Sequence, residues 1–210
     1  EANTVVNFGA AGAAAGIYVA DIAGPGEVRV YSNRIHDGAG DGIYLSGDSF
    51  AFVGAPGLGN IIDNVGGNGI YSTVIGDLQI DSNLIGTSGT IAQNGITVSG
   101  GGGVSIVNNT VGYDSTGTVV VIGQNGIAVQ NYSSLTVSGN TIGGGTTNDS
   151  RIGGTGIAIG NRMFAGVLDN TISNTGYPDS AADGIQTGNG SGFTIAGNSA
   201  VGGGLANSDI

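Results

Sequence analysis

The chain's single histidine, His36, lies in a short run with Arg29, Arg34, Asp37 and Asp41. If His36, Asp37 and Asp41 converged, an imidazole between two carboxylates would form a proton-transfer or lyase site. Asp41, however, directly precedes Gly42, as Asn68, Asn94 and Asn125 precede Gly69, Gly95 and Gly126, so it reads as a turn residue. No neighbouring repeat supplies a matching acid or base. No catalytic residue is therefore assigned, and the expectation is a protein that is not an enzyme. Gly38-Ala39-Gly40-Asp41-Gly42-Ile43 has the glycine and aspartate richness of a Ca²⁺-binding nonapeptide, but in one copy rather than in tandem. Asp179 and Asp183, near Tyr177-Pro178, make another pair of acids. Turn formation is the expected role of Asp at both places, and no metal or cofactor is assigned, with Ca²⁺ the one ion in view.

Tyr18, Tyr44 and Tyr71 recur at spacings of 26 and 27 residues. Three tyrosines at one repeat spacing stack outward on one face. Such a stripe packs on sugar rings or a neighbouring molecule, or it simply stabilises its own sheet. Sheet stabilisation is the reading adopted, with a partner or glycan surface next.

The elements that position these residues follow from composition and repeat. Gly occurs 45 times in 210 residues, charged residues make up 9%, and hydrophobic residues make up 39%. That apolar content argues against disorder, and the lack of a Gly every third residue excludes collagen. The formal net charge of −11, with only four basic residues, argues against nucleic acid as a partner. There is no Cys to form a disulfide. No apolar run is long enough to span a bilayer. A Lys-free, Cys-free chain rich in Gly, Asn, Thr and Ser fits an extracellular location. Beginning at Glu1 without Met, it reads as a processed protein or an excerpt.

Gly-Ile recurs at Gly16, Gly42, Gly69, Gly95, Gly126, Gly156 and Gly184, at spacings of 26, 27, 26, 31, 30 and 28 residues. A second marker runs in step: Asn33, Asn60, Asn83, Asn109, Asn140, Asn170 and Asn198. From Gly69 onward each Gly lies 14 residues before its Asn. Apolar residues alternate before the Asn (Leu78 and Ile80, Val104 and Ile106) and again after it (Ile85, Val111), but with opposite parity. Period two is a strand with one buried face, and the change of parity is a corner just before the Asn. Each coil thus holds three short strands that cannot bury their apolar face alone, so the coils must stack. The expected fold is all-β, a right-handed parallel β-helix of about seven coils forming one domain over 1–210. Stacking places the seven Asn side chains in an internal ladder, each amide donating to the next. At the 4.8 Å strand spacing such a rod is about 35 Å long. Pro56, in Gly54-Ala55-Pro56-Gly57-Leu58-Gly59, predicts a local loop in the second coil. The Asn to Gly-Ile connections, longest after Asn109 and Asn140, would cluster on one flank. Asn108, Asn131, Asn148 and Asn189 begin N-x-S/T sequons. No column is uniformly Thr, which argues against ice binding.

Asn83-Leu84-Ile85-Gly86-Thr87, Asn109-Thr110-Val111-Gly112-Tyr113-Asp114 and Gln124-Asn125-Gly126-Ile127-Ala128-Val129 resemble the repeat of bacterial secreted right-handed β-helix proteins, the pectate-lyase-like superfold. The resemblance covers nearly the whole chain. It implies the fold and leaves function open, since such coils carry lyases, adhesins and surface filaments alike. Asn3-Thr4-Val5 reads as the Asn strand of a partial coil, and Ser208-Asp209-Ile210 falls where the next Gly-Ile strand would begin. The expectation is a structural protomer that stacks head to tail with copies of itself. The alternatives are a glycan- or surface-binding adhesin module and, third, a polysaccharide lyase or hydrolase.

Overall fold

The computed structural model describes residues 3–9, 15–22, 26–47, 50–114, 119–144, 151–160, 164–173, 175, 183–188 and 192–201. All but two of its strands form three parallel sheets, one for each segment of the repeat; Val121–Ile122 and Arg151–Ile152 make a separate parallel pair in the connections. The Asn sheet has eight strands, from Thr4–Val6 to Ser199–Val201. The Gly-Ile sheet has seven, from Ile17–Ile22 to Ile185–Thr187. The pre-Asn sheet also has seven, from Glu27–Val30 to Phe193–Ala196. Neighbours within a sheet are one repeat apart in sequence, the topology of a β-solenoid. Seven Gly-Ile strands bound six complete turns, which is how the expected count of about seven resolves.

Register follows the sequence columns. Ile43, Ile70, Ile96, Ile127, Ile157 and Ile185 pair in succession and point inward. Ile35, Ile62, Ile85, Val111, Ile142 and Ile172 do the same in the Asn sheet. Full burial of each such side chain contributes about 1.5–3 kcal/mol.

The corner before each Asn lies where the parity change requires it. Ser32, Ser82, Asn108, Gly139, Asp169 and Gly197 have φ between 55° and 68°. Gly59 is the exception. Its coil turns earlier, through Gly54 and Gly57 at φ 75° and 74°. Leu58 N–H donates to Ala55 O at 2.8 Å, so Pro56 and Gly57 take the central positions of a tight turn. The loop expected at Pro56 is present.

A fourth buried column was not read from the sequence. Val65, Ile91, Ile122, Ile152 and Thr175 bridge in parallel within the variable connections. Four are aliphatic; Thr175, the last described member, has a buried hydroxyl that finds no partner among the described residues. Exchanging the orphaned hydroxyl for a methyl removes a desolvation cost. Thr175→Val is therefore expected to raise stability by about 1 kcal/mol, as a shift in the urea midpoint at unchanged slope. A decrease would mean that the hydroxyl is hydrogen-bonded.

Candidate functional site

Two columns of side-chain amides run through the solenoid. In the first, Asn33 Nδ2 donates to Asn60 Oδ1 at 2.9 Å, Asn60 to Asn83 at 2.8 Å and Asn83 to Asn109 at 2.9 Å. Asn109, Asn140 and Asn170 continue it to Asn198. Each main-chain N–H from Asn33 to Asn170 donates to the same Oδ1 as its side chain does. From Asn60 on, each Nδ2 also reaches a carbonyl of the preceding coil, such as Val53 O from Asn83. Asn3 is an eighth rung, donating to Asn33, and Thr4 and Val5 pair with Arg34 and Ile35 as a strand of this sheet.

The second column consists of the residues before Gly-Ile, and it runs in the opposite sense. Asn68 donates to Asp41 Oδ1 from its main chain at 2.6 Å and from Nδ2 at 2.9 Å. Asn94 donates likewise to Asn68, Asn125 to Asn94, and Thr155 N–H to Asn125. The sequence identified these residues as turn formers; the recurrence of Asn before Gly-Ile was the signal for a ladder. Asp41 is thus an anchor of this column rather than a partner of His36.

Of the remaining members of the acid–base run, His36 and Asp37 meet, whereas Arg29 lies on another sheet. Arg29, on the pre-Asn sheet, pairs with Glu27, which raises its pKa mainly through that hydrogen bond. Arg34 and His36 lie on the Asn sheet. His36 Nδ1 lies 2.8 Å from Asp37 Oδ2, and Asn64 Nδ2 donates to Asp37 Oδ1 at 2.5 Å. Asn7, Asp37 and Asn64 share positive φ one coil apart, so Asp37 is a corner residue. The Asn64 bond first, and His36 second, hold the Asp37 carboxyl below its ordinary range. A depressed carboxylate stabilises the fold above its unfolded pKa of about 3.9, and that contribution fades as pH falls through the folded value. Asn64→Ala is expected to move the Asp37 titration upward by NMR; an unmoved curve would refute Asn64 as the main cause.

Asp63 is buried elsewhere, accepting from Thr87 N–H, Ser88 N–H and Ser88 Oγ at 2.7–3.0 Å, and it fixes the loop beyond Ile85. Among the described residues no three His, Asp or Glu side chains gather as a metal site. Asp183 is described and supplies its main-chain O to Gly156 N–H, whereas Asp179 lies outside the described residues. Asn148, Asn189, Ser208, Asp209, Ile210 and the middles of the two longest connections also lie outside them.

The tyrosines stack on the outer face of the Gly-Ile sheet. Tyr18 and Tyr44 lie 5.1 Å apart and nearly parallel at 6°, while Tyr44 and Tyr71 meet edge-on at 5.3 Å and 69°. Tyr18 remains 64% exposed. In register above them the column drops to Thr97, Ala128, Ala158 and Gln186, which floor a shallow open groove of about 420 Å³. The face is therefore a raised aromatic block beside a trough of small side chains.

No curated protein and no solved structure matches the chain. The parallel coils, the left-handed corners and the Asn ladder agree with a match to the family model described as right handed beta helix region, which covers residues 15–208; the chain belongs to this right-handed β-helix family.

Proposed function

We propose that this chain is an extracellular structural protein, a β-solenoid protomer that stacks head to tail with copies of itself into a filament, sheath or surface array. The supporting observation is the open-ended register of the coil. Each rung from Asn33 to Asn170 gives its main-chain N–H and its amide to the next rung, so any added coil in phase continues the pattern. Among the described residues the end strands of the Asn sheet, Thr4–Val6 and Ser199–Val201, pair on one side only, and a strand edge left unpaired templates such addition. A head-to-tail contact that does not close generates a fibre. Electron microscopy of the purified chain tests this. Unbranched fibres with an axial repeat near one protomer, about 35 Å at the strand spacing, are expected. Dispersed monomers at every concentration would sink the proposal.

A glycan- or surface-binding module is the second reading, favoured by the aromatic block beside the trough on the Gly-Ile sheet. Here Tyr18, the exposed end of the stack, offers its ring to a sugar. In a glycan-array screen, binding that Tyr18→Ala removes without changing stability supports this reading. Binding unaffected by that substitution counts against it.

A further inference from the structure

Asn68, Asn94 and Asn125 are each followed by glycine. In Asn-Gly the glycine nitrogen attacks the preceding side-chain amide with little obstruction, because glycine has no Cβ. Packing leaves no room for another residue. A Cβ on Gly69 would sit 2.5 Å from Gly95 O and against Ile85; one on Gly95 or Gly126 would sit 2.7 Å from the next coil's Gly126 O or Gly156 O. Close approach of the coils therefore requires the glycine, and where Asn fills the ladder position before it the dipeptide is chemically labile.

The same approach restrains both reacting groups. Gly69 N–H donates to Asn94 O, and Gly95 N–H to Asn125 O, each at 3.0 Å. The Asn68 amide is held by Asp41 and Gln93, and its Oδ1 accepts from Asn94 and Thr97. The Asn94 amide is held by Asn68 and Gln124. Neither nitrogen can swing onto its own Asn Cγ without breaking bonds to two neighbouring coils.

We propose that Asn68 and Asn94 are latent deamidation sites, silent in the coiled protein and opened by uncoiling, so that prolonged unfolding becomes chemically irreversible. In the step, the glycine nitrogen bonds to Asn Cγ and gives up its proton, the amide C–N bond breaks and ammonia leaves. Water then opens the succinimide at either carbonyl, yielding Asp or isoaspartate; no redox partner takes part. Neither product fits the column. Asp at position 68 sets a carboxylate against Asp41 with no proton between them, and isoaspartate adds a main-chain carbon that breaks register.

The test uses the full chain at mildly alkaline pH, one aliquot native and one in urea, with peptide mapping by mass spectrometry. Asn189-Gly190 supplies the reference rate in urea. In urea, Asn68 and Asn94 are expected to convert at the rate of Asn189. In the native aliquot they convert at least about tenfold more slowly, because reaction waits on opening of the coil. The converted chains fail to recover their β signal on dilution, whereas freshly unfolded chains recover it. Equal native and urea rates at Asn68 or Asn94, no conversion in urea, or full refolding after conversion would each overturn the proposal.

Discussion

Asn83→Ala is expected to lower the free energy of unfolding by about 4 kcal/mol. Asn83 is fully buried in mid-column. Its Oδ1 takes both donors of Asn60, at 3.0 Å and 2.8 Å, and its Nδ2 reaches Val53 O and Asn109 Oδ1. Truncation strips Asn60 N–H of its acceptor and Val53 O of a donor in a fully buried corner. Each orphaned buried group costs about 1–3 kcal/mol, and the vacated volume adds to that. Against a typical total of about 5–15 kcal/mol this threatens the fold itself. Asn3→Ala is the control, because it removes one donor at the exposed end of the same column and is expected to cost about 1 kcal/mol. Urea denaturation of the two variants decides the matter. Equal losses would mean that the mid-column amides do not act as a buried network.

Gly95→Ala follows, with an expected loss of about 3 kcal/mol or more. Its new Cβ would meet the Val111 side chain and lie 2.7 Å from Gly126 O, where two coils already touch. Relief requires the main chains to separate, which stretches the bond from Ile96 N–H to Gly126 O, now 2.9 Å. Overpacking of a well-filled interior usually costs about 1–3 kcal/mol, and more where the obstacle is backbone. Gly26→Ala makes the contrast: among the described residues, chain neighbours aside, no atom lies within 4 Å of that Cβ, so the change is expected to be neutral or slightly stabilising. Similar thermal midpoints for the two variants would show that the glycine column is not set by close approach.

These two predictions rest on features that differ in how far the sequence disclosed them. The Asn column and the Ile columns beside it were visible because each coil repeats them at a fixed distance from its own Gly-Ile, and identical demands on a chain leave identical residues. The corner before Asn was visible as a change of parity, since a period-two pattern cannot cross it unbent. At the next corner the signal fades, because it lies four residues past Asn33 and Asn60, at Asp37 and Asn64, but three past Asn83, at Gly86. The column of Val65, Ile91, Ile122 and Ile152 was hidden for a like reason, as connections of unequal length carry its members.

What the sequence by itself determined was the architecture: a stack of three-sided coils, the residues that face inward, and an amide ladder along one corner. Only the tertiary structure decided which side chains meet across coils. Asp41 stands five residues from His36, yet its carboxylate holds Asn68, 27 residues away, because stacking brings equivalent positions together and sends neighbours in one coil to different sheets. The opposite sense of the two ladders was likewise settled by coil geometry, as was the change from parallel to edge-on tyrosines. In a solenoid the repeat specifies position within a coil, but contact energy lies between coils, where a fraction of an ångström in strand placement chooses each partner.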